Sequence, residues 1–106
     1  MAGYQLMIVD EIFRGRYLKS FAKPSALVAD QVNEYSIDLR ANNHTFKKGH
    51  RLMVQVQSSW FPLYDRNPQK FVTNIFLAQP QDYQSASQKV YESARYPSHL
   101  TLPVMK

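Results

Sequence analysis

Hydrophobic and polar positions alternate along much of this chain, and the alternation predicts short β-strands. Over residues 51–57, Leu52, Val54 and Val56 fall on one face and Arg51, Gln55 and Gln57 on the other, which Met53 joins. Period two with β-branched residues is the pattern of a half-buried strand. Residues 99–104 repeat it, with Leu100, Leu102 and Val104 opposed by His99, Thr101 and Pro103. Pro103 cannot donate to a ladder, so this strand is expected at an edge or to end there. Residues 35–39 give a third case, Tyr35, Ile37 and Leu39 against Ser36 and Asp38. Residues 4–17 are the longest candidate. Leu6 and Ile8 alternate there with Met7 and Val9, so both faces are apolar. That suits a central strand covered on both sides, or one whose second face meets a partner. Residues 88–92 add a short strand with Val90 inward. Over 74–86 the pattern is ambiguous: Asn74 is placed to cap a short helix through Ala78, which Pro80 then stops.

Pro24, Pro62, Pro68, Pro80 and Pro97 mark loops between these segments, and Lys48-Gly49 reads as the turn before the 51–57 strand. Short strands joined by such loops predict a β-sandwich. The 106 residues fit one domain, 1–106, with no internal repeat and no Gly/Ser linker. With 44% hydrophobic residues the chain is not disordered by composition. The absence of cysteine excludes disulfides, a Cys-ligated zinc and a thiol nucleophile.

A net charge of +5 raises the question of nucleic acid or an anionic membrane. The basic residues are spread, however: Arg14, Arg16 and Lys19, then Lys47, Lys48 and Arg51, then single positions. A mildly basic solvated surface accounts for that spread, and no nucleic-acid partner is expected. No stretch approaches the roughly 18 apolar residues of a membrane span, so no membrane partner is expected either. The N-terminus lacks the order of a signal peptide. Its residues Tyr4 to Val9 read instead as a strand, as expected of a fragment of a longer protein.

Catalytic patterns are missing. The glycines, Gly3, Gly15 and Gly49, are too far apart for a phosphate loop or a dinucleotide fingerprint. No serine sits in the G-x-S-x-G spacing of a nucleophile elbow. His44, His50 and His99 fit no common zinc spacing. A triad from Ser58 or Ser59, a histidine and Asp65 is possible only in the sense that the residue types are present. Asp10 and Glu11 are adjacent and would point to opposite faces of a strand. Asn43-His44-Thr45 is a glycosylation sequon, a triplet common by chance. No catalytic residue, cofactor or metal is expected.

One segment stands out. Residues 58–68 leave the 51–57 strand directly and hold the only tryptophan, Trp60, with Phe61, Tyr64, Asp65, Arg66 and Asn67. In one reading Trp60 and Phe61 plug the open end of the sandwich. Asp65 and Asn67 then hold the loop through backbone hydrogen bonds, and Arg66 pairs with a carboxylate. In the other, these six residues are a contact surface for another domain or a ligand, since aromatics with Arg anchor interfaces.

At this loop the sequence resembles a known family. Gly49-His50-Arg51, then Val54-Gln55-Val56-Gln57-Ser58-Ser59, Phe61-Pro62 and Asp65-Arg66-Asn67-Pro68 resemble the C-terminal domain of one hydrolase group. The group includes X-Pro dipeptidyl-peptidases, cocaine esterase, α-amino-acid ester hydrolases and glutaryl-7-aminocephalosporanic acid acylases; the acylase-like bacterial members look most similar. Arg14-Gly15-Arg16-Tyr17 with Ser20-Phe21 and Lys23-Pro24 resembles the family's first loop. Val90-Tyr91, Ser98-His99-Leu100 and Leu102-Pro103-Val104 resemble its closing strand. The resemblance implies an all-β, galactose-binding-like jelly-roll sandwich packed on the α/β-hydrolase domain of the same polypeptide. That serine hydrolase domain would hold the Ser-His-Asp triad and cleave peptide, amide or ester bonds. It implies no catalytic role for any residue here. Such bacterial parents are often exported. The resemblance implies that the family domain begins with strands before the segment resembling Tyr4-Gln5-Leu6, expected to be missing here, and a missing strand leaves an unpaired edge. Self-association through that edge, or through the face that meets the catalytic domain, is therefore expected. A carbohydrate- or ligand-binding sandwich is the alternative function.

Overall fold

The computed structural model describes residues 3–105. Its regular elements there are three single-turn 3-10 helices: η1 (Gly15–Tyr17), η2 (Ile75–Leu77) and η3 (Pro80–Asp82). The rest of the described backbone is turn, bend and irregular segment, with one isolated antiparallel bridge between Glu92 and Pro97.

This corrects the expected all-β jelly-roll sandwich. Among the described residues the segments 4–17, 35–39, 51–57, 88–92 and 99–104 form no sheet. The reason lies in what a strand is. Alternation states which side chains would share a face, but a strand exists only when a neighbouring backbone takes its N–H and C=O groups. Among the described residues no ladder forms beyond the single Glu92–Pro97 bridge, and the apolar face of 51–57 stays uncovered: Leu52, Val54 and Val56 are 52%, 62% and 72% exposed.

The chain gathers into two compact units. The first comprises Met1–Val56 with Phe71–Thr73. It is organised around Arg16, on η1. The Arg16 guanidinium donates to the Val72 carbonyl at 3.0 Å and the Thr73 carbonyl at 3.4 Å. It also lies 4.9 Å from the Phe71 ring centre and 5.7 Å from that of Tyr17, within cation–π range. Phe13 meets Phe21 and Tyr35 edge-on at 6.1 and 5.7 Å, and Tyr17 stacks on Phe21 at 6.0 Å. The Arg16 carbonyl accepts the Ser25 N–H at 2.9 Å, closing the loop that follows η1. Elsewhere in this unit Arg40 pairs with Glu11 at 3.1 Å, and the Asn42 amide donates to the Ile8 carbonyl. The predicted turn at Lys48-Gly49 is present: the His50 N–H reaches the Lys47 carbonyl at 3.1 Å, and Gly49 has φ +87°.

The second unit comprises Gln57–Lys70 and Asn74–Lys106. Asn74 does cap a short helix: its side-chain oxygen accepts the Phe76 N–H at 2.9 Å, and η2 ends at the C-cap Ala78. Pro80 ends that run and opens the next, since a residue without an N–H costs nothing at the first helical position. In η3 the Asp82 carboxylate accepts the Gln79 N–H at 3.0 Å and the Lys70 ammonium at 3.1 Å. Near the C-terminus, the Ser98 N–H to Tyr91 carbonyl bond (3.1 Å) accompanies the Glu92–Pro97 bridge.

Among the described residues no apolar side chain is fully buried except Pro68.

Candidate functional site

The 58–68 loop lies wholly in the second unit. Its backbone folds back on itself: the Trp60 carbonyl accepts the Tyr64 N–H at 3.0 Å, with the Phe61–Pro62 peptide cis. Beyond it, the Asn67 side chain accepts the Gln69 N–H at 3.1 Å, the Asx turn expected of asparagine. Gln69 sits in the left-handed region at φ 62°, unusual for a residue with a Cβ. Neighbours hold it there. The Gln84 side chain donates to the Gln69 carbonyl at 2.7 Å, and the Gln84 N–H to the Pro68 carbonyl at 2.9 Å. Gln88 reaches the Gln69 side chain at 3.3 Å. Pro68 is buried beneath these bonds.

The six predicted residues are placed as follows. Trp60 and Phe61 are 36% and 64% exposed, so they plug no core. Tyr64 is half-buried, and Asp65 is exposed and makes no hydrogen bond among the described residues. Arg66 makes no ion pair: the described pairs are Glu11–Arg40 and Lys70–Asp82. Its guanidinium lies 6.0 Å from the Phe61 ring centre and 5.9 Å from that of Tyr83. Arg66 and Asn67, with Ser58, Ser59, Gln69, Tyr83, Gln84 and Ser85, line an open hollow of about 330 Å³. The sequence reading missed Tyr83, Gln84 and Ser85, which reach the loop from beyond η3. Only the proline at 80, which ends one turn and starts another, hinted that the chain doubles back there.

The hollow lacks the parts of a hydrolytic centre. No histidine or carboxylate lines it. His99 contacts the Pro97 carbonyl through Nδ1 at 3.1 Å, and His44 packs on Phe46. Among the described residues no three His, Asp or Glu side chains gather as a metal site, and no helix is long and apolar enough to cross a membrane.

Comparison with known proteins places the chain. A family described as the X-Pro dipeptidyl-peptidase C-terminal non-catalytic domain matches residues 7–101. The cocaine esterase of Rhodococcus sp. (strain MB1 Bresler) is 36% identical over 106 residues, covering 98% of this chain and 18% of that protein. The chain thus spans less than a fifth of the curated relative's length. No solved structure matches it.

Proposed function

Because the chain belongs to the family of X-Pro dipeptidyl-peptidase C-terminal non-catalytic domains, we propose that it is the accessory domain of a serine hydrolase. The parent polypeptide cleaves peptide, amide or ester bonds with a triad on a separate α/β-hydrolase domain. Residues 1–106 act as one unit of function, brace that domain and help shape its substrate site. Trp60, Phe61, Tyr64, Asp65, Arg66 and Asn67 form the contact.

The observation that carries this reading is the uncovered apolar surface. Phe61, Leu63, Phe76 and Leu77 are each more than 60% exposed, and the described residues hold no apolar core. Patches of this kind on a soluble chain mark surfaces that another protein covers. A relative with most of its length outside the matched region offers such a cover. In the absence of that cover, copies of the chain shield one another, so the isolated chain self-associates.

The test is hydrolysis of chromogenic dipeptide, acyl-amide and ester substrates. The samples are the chain alone, and the chain mixed with the separately expressed remainder of its polypeptide. The proposal expects no turnover from the chain alone, and a gain of activity or thermal stability on mixing. Turnover by the 106 residues alone, blocked by a serine reagent, would overturn it.

A further inference from the structure

Arg66 is an exposed cation beside the hollow, free to take a partner in place of water. A guanidinium carries five N–H donors and no acceptor. Among the described residues Arg16 donates to two carbonyls, Arg40 pairs with Glu11 and Lys70 with Asp82. Arg66 has no hydrogen bond and no ion pair; it has two aromatic rings. The rings stabilise the charge and restrict the side chain, but a ring face does not replace a planar acceptor for a forked donor. Asp82, in the same unit, is already held by Lys70 and the Gln79 N–H. Asp65, the adjacent residue, does not pair with Arg66. The hollow beside Arg66 adds hydroxyls from Ser58, Ser59 and Ser85 and the amide of Asn67, and no negative charge. That set of donors, around one cation, is complementary to a carboxylate.

Resting on the proposed accessory role, we infer that the hollow receives an Asp or Glu side chain of the catalytic domain, which Arg66 grips through a forked pair of hydrogen bonds. The surroundings favour a side chain over a free small acid. The hollow is open, whereas a site for a small molecule encloses most of it. The same loop carries exposed Trp60, Phe61 and Leu63, apolar groups suited to excluding water around a docked charge pair. More than four-fifths of the relative's length lies outside the matched region and can supply the acid.

The experiment uses the full polypeptide. R66E and R66K are compared with the parent for thermal unfolding of the hydrolase domain at low and high salt. Hydrogen exchange across residues 58–68 reports whether the loop is covered. The inference expects a covered loop and a hydrolase domain held about thirtyfold less firmly by R66E. It expects partial retention by R66K, which keeps the charge but loses the fork, and a salt-sensitive difference between the two. Reversing one Asp or Glu of the catalytic domain to Lys should rescue R66E and no other reversal should. A covered loop with R66E silent, or with R66E and R66K equally weakened and no reversal rescuing, overturns the inference and leaves the accessory reading standing. An uncovered loop overturns both. Stabilisation of the parent by sodium acetate at millimolar concentration, lost in R66K, would assign the hollow to a free carboxylate and also overturn the inference.

Discussion

Gly15 and Gly49 hold the same residue type for different reasons. At Gly49 the backbone itself demands it: φ is +87°, and a Cβ there would meet nothing but would sit in the disfavoured left-handed region. At Gly15 the demand is space. A Cβ would come within 2.6 Å of a Leu27 methyl and 3.3 Å of the Tyr35 hydroxyl. Leu27 is 47% exposed and can turn away. Denaturant unfolding should therefore show G49A losing about 1–2 kcal/mol, and G15A losing less. Arg16 is the more consequential residue. It joins η1 to the Phe71–Thr73 segment through two carbonyls and the Phe71 ring, although its Nε is buried without a partner. R16A should cost about 2 kcal/mol in the same measurement, the hydrogen bonds and ring contacts outweighing relief of that orphan donor. R16K should recover little, because an ammonium cannot fork to two carbonyls while lying on a ring.

The short elements are tied by carboxylates whose titration can be followed. Asp82 sits below its ordinary pKa because the Gln79 N–H, and then Lys70, stabilise its charged form. Glu11 is lowered by the Ile12 N–H and then by Arg40. A carboxyl lowered in the folded state stabilises it fully above the ordinary value and loses that contribution as pH falls through the folded value. Urea midpoints should thus hold above the ordinary values of 4.5 and 3.8 and decline below them. D82N should flatten part of the decline; an unchanged acid profile would deny the η3 tie its role. Both carboxylates are half-buried but pair with exposed cations, so the effect is modest. These ties also show what was legible in the sequence. The Asn74 cap, the halt at Pro80 and the Lys48-Gly49 turn are local chemistry, and each is present. The strands were not legible, because Leu52, Val54 and Val56 report a face and not a neighbour. The 58–68 loop drew notice through its aromatics, Arg66 and its family motif. Tyr83, Gln84 and Ser85 did not, since their place depends on a distant fold-back.

For the whole molecule the balance between covered and uncovered surface decides the behaviour. Val104 and Met105 are 83% and 91% exposed, and Tyr4, Leu6 and Met7 are 60% or more. At roughly 25 cal/mol per Å² of apolar surface, leaving so much in water forgoes much of the usual drive to fold. Sedimentation of the isolated chain should show association that grows with concentration; a strict monomer at high concentration would count against it. The most direct test of the accessory-domain account is hydrogen exchange on the full polypeptide and on the isolated chain, read over residues 58–68. The account predicts that amides of Phe61 to Asn67 exchange rapidly in the isolated chain and become protected when the catalytic domain is present. Equal, rapid exchange in both samples would contradict it, since the loop would then face solvent with nothing docked upon it.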